Sequence, residues 1–349
     1  MLIGAWGTPL LIFVFLAASV VIWVAGTRIT KATDCIASHY KLGQAFGGLV
    51  FLAIVTNLPE IAITVVAAWH GALDMAISNI LGGIAIQTVV LVLIDIFGVG
   101  KTASLTFKSS SSILLLEGIA LIFILTLVLI GKQLPPDLMA FRTTPVEWLI
   151  VAVWLGSIYT ISKQSASNHP HPRKKIYSHS PHREKREDSA TLSQMPVKKA
   201  LWIFTVCALL ILVAGWLLEE SGQLLAARFG MSGVLFGATI LALSTALPEI
   251  STGIASAKIK DYEMAVSDIF GGNAFLPVLF LIASAISGDA VLPDLKPIDQ
   301  YLTCVGIILT GIYLAGMLLP AKKQVFRMGI DSLVVLIVYL ISLLGLLLL

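Results

Sequence analysis

Two short stretches of this 349-residue chain share one unusual chemistry. Thr56-Asn57-Leu58-Pro59-Glu60 and Thr245-Ala246-Leu247-Pro248-Glu249 each set a proline and an acid inside an apolar run. A proline cannot donate to the carbonyl four residues back, and its ring kinks a helix there. Val55 and Ser244 should therefore keep free carbonyl oxygens. In hydrocarbon such oxygens need a partner, and a cation is one. A carboxylate near the bilayer centre costs at least about 2.5–3.5 kcal/mol, so Glu60 and Glu249 at matching places argue for function. Thr56 and Thr245 place a hydroxyl four residues before each acid, on the same helical face.

The next apolar runs carry Asn79 and Asp268. Glu60 and Asn79 are equidistant from the turn near His70, and Glu249 and Asp268 from the turn near Lys258. In an antiparallel helix pair, equidistant residues share a depth, here about 10–15 Å from a surface at the helical rise. Gly82-Gly83 and Gly271-Gly272 follow one turn later, small enough for close helix approach. The donors are carboxylates, an amide, hydroxyls and bare carbonyls, with no cysteine or histidine nearby. Hard cations such as Ca²⁺ or Na⁺ take such a set, whereas zinc and copper recruit nitrogen or sulfur. Glu60 and Glu249 together neutralise one divalent ion. Asp268 is a third carboxylate in the same space and is expected to carry a proton when calcium is bound, or to titrate with the cation load.

The elements that must hold these groups are membrane helices. The chain is 57% hydrophobic and 12% charged, with a mean hydropathy of +0.94. Soluble domains carry about 25% charged residues. This composition excludes an ordinary cytosolic enzyme, a disordered protein and a secreted disulfide scaffold. The net charge of +3 is no nucleic-acid signature, and Cys35, Cys207 and Cys304 suggest no disulfide framework.

Ten apolar runs lie near residues 8–26, 44–69, 72–97, 113–131, 146–162, 200–218, 231–257, 262–287, 300–319 and 330–349. Alternating sides collect 19 Lys and Arg on one face and four on the other. The positive-inside rule then places the central basic loop in the cytoplasm and both termini outside. The first run has no basic residue before it and Arg28 after it, so it reads as a span and not as a cleaved signal peptide. The loop 163–198 is rich in Ser, Pro, Lys and Arg and holds His169, His171, His179 and His182. It reads as a solvated linker near anionic lipid. Asp95, Glu117 and Asp331 lie near the ends of their spans and read as interfacial helix-end acids.

The chain also repeats itself. At an offset of 189 residues, positions 48–85 give 16 identities in 38, and Val24-Ala25-Gly26 recurs as Val213-Ala214-Gly215. Each half, 1–162 and 199–349, is therefore five spans. Five is odd, so the second half enters the membrane from the opposite side. Transporters of this inverted type place substrate at the midplane on broken helices. The expected fold is an all-α membrane protein of ten transmembrane helices in two inverted five-helix repeats.

The twin Leu-Pro-Glu helices, each followed by an Asn/Asp-X-X-Gly-Gly segment, resemble the two α-repeats of the cation/Ca²⁺ antiporter superfamily, here about 44–97 and 231–287. They look most like its Na⁺/Ca²⁺ exchanger branch. The resemblance implies a Ca²⁺ site shared by Glu60 and Glu249 with oxygen from Thr56 and Thr245. It also implies flanking sodium sites completed by Asn79 and Asp268, and spans 1 and 6 that slide over a fixed core. The exchanger pattern Thr-Ser-Leu-Pro-Glu is altered at Asn57 and Ala246, and Gly-Ser-Asn becomes Gly82-Gly83-Ile84 and Gly271-Gly272-Asn273. Asn57 looks more like the H⁺/Ca²⁺ branch. These changes spare the calcium ligands and bear on the counter-ion. The expected function is a secondary active antiporter exchanging Ca²⁺ for Na⁺ by alternating access in the cell membrane, with H⁺/Ca²⁺ exchange as the alternative. Its partners are those ions and the lipid bilayer, with no cofactor or nucleic acid implied and no oligomeric state specified. An intramembrane aspartyl protease needs two facing aspartates, and Asp268 faces Asn79. A zinc protease needs His-Glu-X-X-His, which is absent. A scaffold or receptor has no need of paired proline–glutamate helices at mid-depth.

Overall fold

The computed structural model describes residues 6–40, 53–100, 103–135, 138, 142–167, 195–319 and 323–348. Residues 41–52, which include the start of the second apolar run, and the loop stretch 168–194 with its four histidines lie outside them. We number the helices α1 (Thr8–His39), α2 (Leu58–Trp69), α3 (Leu73–Ile94), α4 (Leu105–Ser109), α5 (Ser112–Lys132), α6 (Pro145–Ser167) and α7 (Val197–Arg228). The second half continues with α8 (Gly233–Thr245), α9 (Leu247–Lys258), α10 (Tyr262–Ser287), α11 (Pro297–Leu318) and α12 (Ile330–Leu348). A two-stranded hairpin, Gln324–Val325 with Met328–Gly329, precedes α12. Among the described residues, seven helices are long and apolar enough to cross a membrane, or eight when the bent α8–α9 pair counts as one span; α2 and α12 are shorter apolar helices.

Burial sorts these helices into a core and a rim. Of the most apolar window of each, 78% is buried in α3 and 67% in α10, but only 28% in α7. The rim presents Phe13, Trp202, Leu209 and Leu344 on its outer face. So much exposed apolar surface suits hydrocarbon and not water, and the protein is a multi-pass membrane protein. α1 packs along α7, and α5, α6, α11 and α12 line the opposite side of the core.

α1 and α7 are longer than the apolar runs 8–26 and 200–218 that announced them. The runs end where polar residues such as Arg28 and Glu219 begin, but helical hydrogen bonding continues past that boundary. Hydropathy reports the lipid-facing length, not the helical length.

Glycines set the closest approaches. A Cβ on Gly26 of α1 would sit 2.7 Å from Pro248 Cγ, and one on Gly215 of α7 2.6 Å from Ala62 Cβ and 3.5 Å from Pro59 O. Gly26 and Gly215 are equivalent at the 189-residue offset. Each long helix therefore lies across the proline-containing helix of the opposite half. The core helices cross as well: Asn273 Nδ2 of α10 donates to Ile84 O of α3 at 3.3 Å, and positions 84 and 273 are themselves equivalent.

Candidate cation site

The two prolines break their helices as expected, and the structure shows where. A helical turn over residues 53–56 precedes Asn57, whose φ of −97° and ψ of 20° leave the α region before α2 starts. Ala246, at φ −79° and ψ −1°, separates α8 from α9, which bend by 43°. The chain resumes helical bonding at Ile61 N to Asn57 O, 3.0 Å, and at Ile250 N to Ala246 O, 3.1 Å. The second break is preceded by a π-helical turn, Gly237–Leu241. Such wide turns bring extra backbone into a site. This one lies against α3, where a Cβ on Gly82 would be 2.4 Å from Ala238 Cα.

Glu60 is fully buried and Glu249 nearly so. The Glu249 carboxylate lies close enough to Glu60 and to Asp268 to feel the charge of each. Thr245 Oγ1 donates to Ala242 O at 3.1 Å. The same hydroxyl is in hydrogen-bonding reach of Glu60, from the other half of the chain. Thr56 accepts from Asn57 Nδ2 at 3.3 Å and shares with Asp268 the lining of one cavity of about 160 Å³. Thr252 donates to Asp268 Oδ2 at 3.3 Å. Asn79 is buried with both amide atoms lacking a hydrogen-bond partner among the described residues. It is thus not joined to the carboxylates directly. One oxygen each of Glu60 and Glu249 also has no donor among the described residues. Buried acceptors without donors are costly, and an oxygen-lined group of this kind suits a hard cation.

Two site residues escaped the sequence reading. Gln87 Nε2 donates to Glu60 Oε1 at 3.3 Å. Its signal was a lone amide two turns beyond Asn79 in an apolar helix. Glu117 is not a solvent-facing interfacial acid. It is buried, accepts from Ser267 Oγ at 2.7 Å, lines the same cavity as Asp268 and interacts with its charge. Asp95 is a structural acid, accepting from Leu105 N, Gly329 N and Ser332 Oγ at 2.7–2.8 Å. Asp331 lies in the first turn of α12.

A buried carboxylate cluster between two proline-broken membrane helices defines a cation carrier. The profile of the sodium/calcium exchanger protein family matches residues 10–161 and 199–348. The chain belongs to that family and is a cation antiporter, not an enzyme. A putative antiporter, CaxA of Alkalimonas amylolytica, is 26% identical over 270 residues, 76% of either chain. The solved H⁺/Ca²⁺ exchanger CAX superposes with a TM-score of 0.63 at 16% identity, covering 96% of this chain and 88% of that one. The sodium-calcium exchanger NCX_Mj gives 0.62 at 17%, covering 97% and 99%. Both likenesses establish the fold.

Proposed function

We propose that the antiporter exchanges Ca²⁺ for Na⁺ by alternating access, with Ca²⁺ held by Glu60 and Glu249 and oxygen from Thr56 and Thr245. The observation that carries this reading is that buried Glu249 lies within charge range of Glu60, from the opposite half of the chain, and of Asp268. Two ionised glutamates balance one Ca²⁺. Asp268 and the amide of Asn79 extend the donor set to sites for sodium. Ca²⁺ takes six to eight oxygens at about 2.3–2.6 Å, more than the carboxylates alone provide, and the hydroxyls and backbone oxygens at the helix breaks make up the difference.

The second reading, H⁺ as counter-ion, is favoured by Glu117. It adds a fourth carboxylate beside Asp268, where protons balance charge as sodium would. Flux of ⁴⁵Ca²⁺ into proteoliposomes under a Na⁺ gradient, then under a pH gradient alone, separates the two. Uptake that follows pH and ignores sodium moves the assignment to H⁺/Ca²⁺ exchange. Uptake under neither gradient refutes calcium as cargo.

The proposed architecture is ten spans in two inverted five-helix repeats, with the loop 163–198 cytoplasmic and both ends outside. The reciprocal contacts of Gly26 and Gly215, each with the opposite half, support it. So does the contact between the equivalent positions 84 and 273, because a residue touches its own counterpart only near a symmetry axis. Protease added to right-side-out spheroplasts should spare the loop until the membrane is permeabilised.

A further inference from the structure

A second cluster of ligating groups lies away from the carboxylates already described. His70 caps the C-terminus of α2, and the chain reverses at Gly71, whose φ is +73°, to start α3. The imidazole Nδ1 is 3.3 Å from Glu220 Oε1 and 3.7 Å from Glu219 Oε2. Both glutamates belong to α7. They lie about 33 Å from its start at 1.5 Å per residue. The cluster therefore sits at the opposite face from the central loop. Glu60 is about 15 Å from His70 along the helix.

The chemistry of the cluster points to a ligand. Glu219 is completely buried, and its Oε2, aimed at His70, has no hydrogen-bond partner among the described residues. Its other oxygen accepts from Gln223 Nε2 one turn further along α7. That contact orients the carboxylate, as outer partners of metal ligands do. His70 is 41% exposed and Glu220 26%, so one side of the cluster opens to water. A cavity of about 620 Å³ lined by Gly71, Asp74 and Gln223 runs alongside. The three ligand atoms all lie within 4.8 Å of one another. Tetrahedral Zn²⁺ with bonds of about 2.0–2.1 Å holds its ligand atoms about 3.3 Å apart. The imidazole–carboxylate spacings are already close to that value.

We propose that His70, Glu219 and Glu220 form a site for a transition divalent cation of the Zn²⁺ class, with water as the fourth ligand. An imidazole nitrogen with two carboxylates suits zinc, copper or nickel and discriminates against the calcium and sodium that the all-oxygen centre takes. The site joins α7, from the second half, to the α2–α3 turn of the first half. A bound ion pins them together and slows any transport step in which they move apart. That consequence rests on the antiporter reading above; the binding does not.

The test starts with binding, on the full chain purified in detergent, stripped with chelator and titrated with Zn²⁺ by calorimetry in excess Ca²⁺. Wild type should bind one equivalent more than His70→Ala and Glu220→Gln. Ions held by the four loop histidines are common to all three proteins and cancel. Gln223→Leu should keep the site but weaken it about tenfold or more through the lost second contact. All variants should unfold at the wild-type temperature without zinc. Equal binding by wild type and His70→Ala, or an equivalent that calcium displaces, overturns the site. In proteoliposomes, Zn²⁺ should slow ⁴⁵Ca²⁺ exchange by wild type and leave His70→Ala unaffected. Zinc-bound wild type exchanging at its zinc-free rate overturns the pinning.

Discussion

The two halves of this antiporter share a backbone plan but not a charge plan. The first contributes Glu60, with amides at Asn57, Asn79 and Gln87; the second contributes Glu249 and Asp268, with Ala246 and Leu276 where Asn57 and Gln87 stand in the first. Glu60 is served by Gln87 and by Thr245 from the opposite half. The one side-chain donor seen on the second half's central acids, among the described residues, is Thr252, on Asp268. The glycines differ as well. Gly82 lies against the backbone of Ala238, whereas a Cβ on its equivalent Gly271 would meet nothing within 4 Å. A duplicated fold thus yields an asymmetric site: one half anchors its carboxylate with the Gln87 amide, and the other holds two acids with fewer donors. We read the anchored half as the constant part of the cation shell and Asp268 as the variable charge.

The strongest way to break this comparison is to remove charge from either glutamate. Glu60→Gln and Glu249→Gln should each abolish calcium exchange while the protein still folds and inserts. Loss of one member of a buried charge pair costs about 2–5 kcal/mol, so calcium binding should weaken by about 30-fold or more. Normal ⁴⁵Ca²⁺ uptake in either variant would dismiss the shared site. Asp268→Asn gives the second half the amide of the first. Calcium binding should persist, within about threefold, while sodium-dependent release is lost or weakened. Release that keeps its sodium dependence would show that Asp268 is not the variable charge.

Smaller effects separate the glycines and the amide. Gly82→Ala drives a methyl group into backbone and should cost about 1–3 kcal/mol, read as a lower unfolding temperature in detergent. Gly271→Ala meets open space and should be neutral or stabilising by up to about 1 kcal/mol through helix propensity. Equal responses would mean that the two crossings do not differ. Gln87→Leu installs the residue of the second half. It removes a hydrogen bond to a carboxylate and should raise the calcium concentration for half-maximal uptake several-fold, by no more than about tenfold. An unchanged value would remove Gln87 from the site.

The sequence alone determined that this is a helical membrane protein and which residues carry its charge. Apolar runs of about 20 residues mark lipid-spanning helices because backbone must satisfy itself in hydrocarbon. An acid in such a run is too costly to be incidental. Glu60, Glu249 and Asp268 were legible for that reason, and the 189-residue repeat made the glutamates legible twice. Tertiary structure alone decided which group serves which. Thr245 lies four residues before Glu249, yet its hydroxyl is also within reach of Glu60 from the other half of the chain. Glu117 lies early in α5, and only the packing of α5 on α10 puts it beside Ser267 and Asp268. The lengths of α1 and α7 were equally out of reach, since hydropathy stops at the first polar residue and the helix does not. His70 and Glu219 are 149 positions apart, and no periodicity links them. Local pattern reports what a segment costs to bury; which buried groups share a site depends on how helices distant in sequence are packed together.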